Sequence, residues 1–322
     1  MKIEKKADLL QRGGHETWGT RIHRPVLLQE VIEHLVKPFA EEKEEKIFVD
    51  CTVGEGGHAE AILEQEQNAL LVGIDADPSQ IERARNNLSK FKDRVVLVND
   101  NFSAMEKIMW ETGIERNSVS GFLYDLGMST VHVKTGRGFS FEDDKLDMRY
   151  NPTSGETARD IVNKYTEKEL FAIILNYGYG NADARSVKEA RKIARAITRY
   201  RRSKKIESAK ELASIVAGAI PAKPFARKHP ATRVFQAIRI AVNRELDNFK
   251  ISFSEAIDYL KPGGRIAVIT FHSLERRAVK EMKRKFSKII ELTTPKGIKP
   301  SEEEIKINPR SRSAVLYIFE KI

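Results

Sequence analysis

The sequence predicts an α/β protein: a parallel sheet covered by helices on both faces and interrupted by a helical insert. Three observations carry this. Apolar strand-like runs alternate with helical patterns between residues 47 and 125. From about 133 to 233 the alternation stops, and the chain reads as polar, basic helix. It then resumes with more helix, a K-P-G-G turn and an apolar run. Strand and helix alternating at this spacing is the pattern of βαβ units.

Taken in order, residues 1–20 are charged and glycine-containing and read as a loose N-terminal extension. Their stretch M-K-I-E-K-K-A-D-L-L-Q-R-G-G-H-E-T-W-G lacks the apolar segment of a secretory signal. Strands are expected at 47–51 (I-F-V-D-C), 69–75 (A-L-L-V-G-I-D), 94–98 (R-V-V-L-V) and 120–125 (S-G-F-L-Y-D). Helices are expected between them at 58–66, 78–91 and 103–112. Beyond the insert come a long amphipathic helix at 231–250, a helix at 252–260 and a strand in K-P-G-G-R-I-A-V-I-T-F. A last pair near 288–294 and 313–319 closes the sheet as a hairpin-like edge. Residues 21–133 and 234–322 thus form one domain, and 134–233 form an inserted helical, basic domain.

Composition narrows the function. With 322 residues, 41% of them hydrophobic, the chain can bury a sizeable core. No apolar run reaches the ~18 residues of a membrane span, so no membrane association is expected. The single cysteine, Cys51, cannot form an internal disulfide or build a zinc site alone, and the seven histidines are scattered. A cytoplasmic protein without a metal is expected. The formal net charge is +10, and its excess of base falls in 134–233. Residues 185–205 hold ten basic residues against one acid, Glu189. There Arg191, Arg195 and Arg199 recur at four-residue spacing, with Ile193, Ala194 and Ile197 on another face. A basic face of this kind binds phosphates without reading sequence, so RNA is the expected partner, with Arg191, Arg195, Arg199 and Lys228 as contacts.

A glycine-rich turn points to the ligand. Residues 48–58 read F-V-D-C-T-V-G-E-G-G-H, placing Gly54, Gly56 and Gly57 where a strand gives way to a helix. In a doubly wound sheet, ligands sit at the carboxyl ends of the strands, and glycine permits close backbone approach. Asp75 ends the second strand, where a carboxylate suits the hydroxyls of a ribose. Asp50 adds a second acid. A ligand with an adenosine part and a positive charge fits both, and S-adenosylmethionine has both. A dinucleotide fits less well: the spacing is G-x-G-G rather than G-x-G-x-x-G, and Asp50 would repel a pyrophosphate. His58 reads either as a helix cap or as a ligand contact. Asp125, in Y-D-L-G-M-S-T, ends the fourth strand over the same crevice. Many amino-group methyltransferases carry Asn/Asp-Pro-Pro-aromatic there; this chain keeps the acid and lacks the rest.

Ten segments add a resemblance. They are H-R-P-V-L-L-Q-E-V-I (23–32), D-C-T-V-G-E-G-G-H (50–58), D-L-G-M-S (125–129), R-G-F-S-F (137–141), L-D-M-R (146–149), A-R-K-I-A-R-A-I (190–197), K-H-P-A-T-R-V-F-Q-A-I-R-I (228–240), P-G-G-R (262–265), F-H-S-L-E-R-R-A-V-K (271–280) and N-P-R-S-R-S-A-V-L (308–316). In this order they resemble the bacterial 16S ribosomal RNA cytosine-N4 methyltransferase family (RsmH, also called MraW), from about residue 22 to 320. The resemblance implies a class I (Rossmann-like) methyltransferase domain with an inserted helical domain and S-adenosyl-L-methionine as methyl donor. It also implies a substrate: N4 of one cytidine in the decoding region of 16S rRNA, within the small ribosomal subunit. The family's donor contacts match Gly56, Gly57, His58, Asp75, Phe102 and Asp125. Where the family often has Gln, this chain has His132. Cys51 replaces a common Gly, and Y-G-Y-G-N-A-D-A-R-S departs from the family pattern.

An activated sulfonium needs no strong base, so the enzyme's tasks are alignment, exclusion of water and acceptance of the N4 hydrogens. Asp125 or a backbone carbonyl at Leu126–Gly127 could accept them, with Ser129 and Ser273 as lesser candidates. His272 could contact the base or relay its proton. The cytidine must leave its stack, and Phe139, Phe141 and Phe271 read as core residues or as stacking partners. Two other readings stay open: a same-fold methyltransferase of another amine, and a non-catalytic RNA-binding or ribosome assembly factor.

Overall fold

The computed structural model describes residues 24–180, 183–220 and 229–322. The N-terminal extension and Lys228 lie outside them. Seven strands form one sheet in the order β3-β2-β1-β4-β5-β7-β6. They are β1 Lys46–Asp50, β2 Ala69–Asp75, β3 Val95–Asn99, β4 Val119–Asp125, β5 Leu260–Thr270, β6 Ile290–Leu292 and β7 Val315–Lys321. The first five pair in parallel; β7 runs antiparallel to both β5 and β6. The α/β class read from the sequence is borne out, including the late antiparallel pair. β7 lies inside that pair, leaving the three-residue β6 at the edge, where a short strand exposes little unpaired backbone.

Chain order reverses between β1 and β4, so a crevice opens at their carboxyl ends. The central strands are near-continuous apolar runs because helices cover both faces. One face packs Leu27, Leu35 and the helix carrying Ile62 and Leu63; the other packs Met105, Phe249, Phe253 and Val279.

The helices of the sheet's first half are α1 Leu28–Val31, α2 Gly57–Gln65, α3 Pro78–Asn87, α4 Met105–Glu111 and α5 Thr130–Lys134. α3 starts where the Asp77 carboxylate accepts the Ser79 N–H at 2.9 Å and Pro78 occupies the first helical turn. The middle of the chain supplies α6 Ala158–Lys164, α7 Glu167–Ile173, α8 Ala184–Tyr200 and α9 Ala209–Ala219. These bury a third cluster that includes Ile161, Leu170, Ile193, Ile197 and Leu212. Val234, Phe235 and Ile238 of α10, Thr232–Asn243, complete it.

The expected long helix at 231–250 is in fact two. Arg244 adopts left-handed angles (φ 50°, ψ 37°) and separates α10 from α11, Glu245–Tyr259, which runs through the helix expected at 252–260. The break is held by side chains. Asn243 donates to the carbonyl of Met148 at 2.8 Å and accepts the Tyr150 N–H at 2.7 Å, while Glu245 turns back to Arg239. α12 Ser273–Lys285 and α13 Glu302–Ile307 follow β5 and β6. Among the described residues, no helix is long and apolar enough to cross a membrane.

Candidate active site

The carboxyl ends of the central strands open into a cavity of about 380 Å³. Its lining is built from the strand ends upward.

The glycine turn after β1 and the end of β2 are one unit. The Gly54 N–H donates to Asp75 Oδ2 at 3.0 Å, and the Asp77 N–H donates to Asp75 Oδ1 at 2.9 Å. Gly54 (φ +52°) and Gly56 (φ +84°) occupy left-handed backbone that disfavours side chains. At Gly57 a Cβ would lie 2.4 Å from Pro25 Cγ. Gly54, Gly57 and His58 line the cavity; Gly56 instead sits over Leu88. His58 is buried, with Nε2 2.9 Å from the Val26 carbonyl oxygen, so it fixes the N-terminal segment as well as facing the site.

Three carboxyls sit close beneath this turn. Asp50, 1% exposed, accepts the Thr52 N–H at 3.0 Å. Its pKa is pushed up to about 7, by burial first and then by Asp75. Burial pushes Asp75 up to about 6, against the lowering pull of the Asp77 N–H, His132 and the Gly54 N–H. Asp125 is pushed up to about 8 by burial, then by Asp50 and Glu275. Its backbone N–H donates to Thr52 Oγ1 at 2.8 Å, yet its Oδ1 finds no hydrogen-bond partner among the described residues. A nearby positive charge favours the ionised form of all three.

His132 and Phe102 also line the cavity. Phe102 meets Tyr124 edge-on at 5.8 Å. His132 Nε2 lies 3.1 Å from Asp77 Oδ2, which also accepts from Arg137 Nη2 at 2.6 Å. Burial alone would raise Asp77; bonds from His132, Ser79 and Arg137 outweigh it and hold the carboxyl well below the usual range. The His132 ring stacks on Phe139 (5.3 Å) and Tyr150 (4.9 Å). Phe139 is thus part of a buttress behind His132. Phe141 packs on His229 and Phe235 and serves the helical core. Phe271 does line the cavity, against Gly127, where a Cβ would lie 2.7 Å from its ring.

Ser129 and His272 line the site but have structural work. The Ser129 hydroxyl caps α5 by accepting the Val131 N–H at 3.2 Å. His272 caps α12: Nδ1 accepts the Glu275 N–H at 3.3 Å, and the Glu275 carboxylate accepts the N–H groups of Phe271 (2.6 Å) and His272 (3.0 Å). His272 Nε2 lies 2.9 Å from Glu275 Oε1 but off the hydrogen-bonding direction. Glu245, His272 and Glu275 bring ligand-type atoms within 4.8 Å of one another; Arg239 already neutralises Glu245.

The sequence reading missed Tyr150, Arg239, Glu245 and Glu275, which form the wall away from the glycine turn. Arg239 lies inside one of the ten segments and Tyr150 directly after another, but nothing in their spacing placed them on a strand end.

The basic residues lie elsewhere. Arg191, Arg195 and Arg199 are exposed on the face of α8 opposite buried Ile193 and Ile197. With Lys188 and Lys192 they rim a wide depression of about 1050 Å³ between α8 and α9, floored by Val187, Ala196 and Ile215. Arg191 lies over the Phe171 ring at 5.6 Å; Arg195 is 3.6 Å from Glu167, an exposed pair worth little.

Comparison with known proteins identifies the family. The model of the MraW methylase family matches residues 20–322. The chain is 44% identical over 304 residues to a "Ribosomal RNA small subunit methyltransferase H" of Sulfurihydrogenibium sp. (strain YO3AOP1), covering 93% of this chain and 99% of that protein. It is 45% identical over 305 residues to the protein of that name from Persephonella marina, with coverage of 93% and 99%. A Thermotoga neapolitana relative of the same name is 44% identical over 308 residues, with coverage of 94% and 97%.

Proposed function

The chain belongs to the MraW methylase family, and on that premise we propose that it uses S-adenosyl-L-methionine to methylate N4 of a cytidine in the decoding region of 16S rRNA. The observation that carries this reading is the acid-lined cavity at the sheet's switch point, with Asp125 Oδ1 left without a partner among the described residues. A small subunit rRNA substrate agrees with the names of the relatives and with the basic face of α8, and it sets the protein's place of action in the cytoplasm.

The residues present fit the donor. Asp50, Asp75 and Asp125 are all costly to ionise without a cation beside them, and the donor carries a sulfonium. When bound, the donor supplies an already activated methyl, so no covalent enzyme intermediate is needed. Asp75 holds the ribose hydroxyls while its own oxygens keep the Gly54 turn in place. Gly56 shapes the turn, Gly57 and His58 bring the start of α2 to the donor, and Phe102 and His132 bound the adenosine end. Asp125 accepts a hydrogen from the cytidine amine, which keeps the nitrogen lone pair directed at the methyl and gives the departing proton a destination. Ser129 and His272 support this wall through their caps. Donor and cytidine together fill the cavity and keep water away during transfer. The domain at 134–233 holds the RNA through Arg191, Arg195, Arg199 and Lys228.

The experiment is a labelled-methyl assay with purified small ribosomal subunits and with naked 16S rRNA from a strain lacking the gene, followed by nuclease digestion and mass spectrometry. N4-methylcytidine at one position is the expected product. Label on another base or on protein, or donor binding without transfer, would reject the reading in favour of another amine or a non-catalytic role.

A further inference from the structure

The motif K-H-P-A-T-R-V-F-Q-A-I-R-I has no role in the donor and amine contacts proposed above, yet its Arg239 lines the cavity. The Arg239 side chain is 15% exposed and paired with Glu245, itself 14% exposed. Nε and Nη2 donate to the two Glu245 oxygens at 2.8 and 2.9 Å. The Tyr150 hydroxyl donates to Glu245 Oε1 at 3.1 Å, and the Tyr150 ring is held by its stack on His132. Burial works against the Arg239 charge, but Glu245, Tyr150 and Glu275 outweigh it and hold the guanidinium well above its usual range. The pair with Glu245 uses Nε and Nη2, which leaves Nη1 outside it. The result is a permanent cation, fixed at two nitrogens, with donor capacity left for whatever occupies the cavity.

We infer that Arg239 is the specificity-determining residue for the base: it donates to the N3 and O2 edge of cytosine while the amine faces Asp125, and Glu245 and Tyr150 position it. This rests on the cytidine-N4 reading. Cytosine presents an amine beside two acceptors, whereas uracil presents an N3–H that would face a cation with nothing to accept it. Adenine offers N1 beside its amine but lacks an equivalent of O2. A donor at N3 draws the amine lone pair into the ring, which slows attack. Acids on the amine side oppose that, and Asp125 and Glu275 both line the same cavity as Arg239. The fork geometry of a bidentate guanidinium–carboxylate pair keeps the free edge of Arg239 in register.

The test compares wild type with Arg239→Gln and Tyr150→Phe on 16S rRNA ligated to carry either cytidine or 3-deazacytidine at the methylated position. Single-turnover rates are read at saturating donor. Loss of N3 should slow wild type by about 10- to 100-fold, the discrimination carried by a good base contact. Arg239→Gln should lose a similar factor on cytidine and lose little more on 3-deazacytidine. Tyr150→Phe, which keeps the stacked ring, should fall between. Losses that multiply, so that wild type and Arg239→Gln show the same ratio of cytidine to 3-deazacytidine rates, overturn the assignment. A fall in donor affinity of Arg239→Gln by calorimetry, matching its rate loss, would put the guanidinium on the donor's carboxylate and also overturn it. Wild type that leaves the cytidine N4 unmethylated rejects the underlying function instead.

Discussion

Gly54 gives its backbone N–H to the Asp75 carboxylate across the gap between β1 and β2, at 3.0 Å. The bare turn and the acid are therefore a single structural unit, the one proposed to hold the donor. Asp75→Ala should weaken S-adenosylmethionine binding by roughly 1–3 kcal/mol, the range for stranding buried polar partners. Titration calorimetry reads this directly, and an unchanged affinity would remove Asp75 from the ribose.

Asp125 ends β4 with one carboxylate oxygen unpartnered among the described residues. Asp125→Ala should slow methyl transfer by about 10- to 100-fold at saturating donor, in line with losing a hydrogen bond of ~1.5–3 kcal/mol at a charged group. Rapid-quench single turnovers at the wild-type rate would leave Asp125 with a structural role alone.

The three raised carboxyls should make donor binding depend on pH. Their folded-state values of about 6, 7 and 8 lie above the ordinary range, so the ligand-free protein prefers them protonated. A cationic donor prefers them ionised, so binding should release protons and tighten as pH rises from 6 to 9. The gain should be about tenfold or more, since a tenfold change in the proton affinity of one carboxyl is worth ~1.4 kcal/mol. S-adenosylhomocysteine, without the sulfonium charge, should show a shallower slope. Stability has the opposite sign: the contribution of these groups is full below the ordinary carboxyl pKa of 3.8 and is lost as pH rises from there through about 6, 7 and 8, so the ligand-free Tm should fall across that range and level off above it. Calorimetry in buffers of different ionisation enthalpy counts the protons, and a pH-independent affinity would contradict the scheme.

Arg191, Arg195 and Arg199 are exposed on one face of α8 and carry little structural load. Replacing all three with Gln should weaken RNA binding, spare donor binding and leave the Tm with bound donor unchanged. The dependence of log affinity on log salt should flatten by about 0.7–0.9 per lost phosphate contact, or roughly 2–3 in total. Filter binding across a salt series measures it. An unaltered slope in the folded triple variant would move the RNA path to Lys223, Arg227 and Lys228.

The sheet was legible because its strands are apolar runs, and β1, β2 and β4 end in an aspartate. Asp75 and Asp125 could be placed over one crevice from strand order alone, before any side chain was seen. Other parts were hidden for definable reasons. N-R-E-L has neither Gly nor Pro, so nothing local announces the left-handed Arg244; the break is imposed from 95 residues away by the Asn243 contact to Met148. Arg239 and Glu245 are six residues apart, off any helical face, and meet only because of that break. His272 and Ser129 line the cavity and also serve as helix caps, a role that their sequence context did not reveal.

The bend at Arg244 has a mechanical consequence. α10 is rooted in the helical cluster through Val234, Phe235 and Ile238, while α11 is rooted under the sheet through Phe249 and Phe253. One residue's torsion angles therefore join two stiff levers, and the Arg239–Glu245 fork is pinned across the joint with one end on each. Because α8 and α10 share that cluster, a load on the basic face of α8 would reach the fork, and RNA held there as proposed would share one axle with the cavity wall.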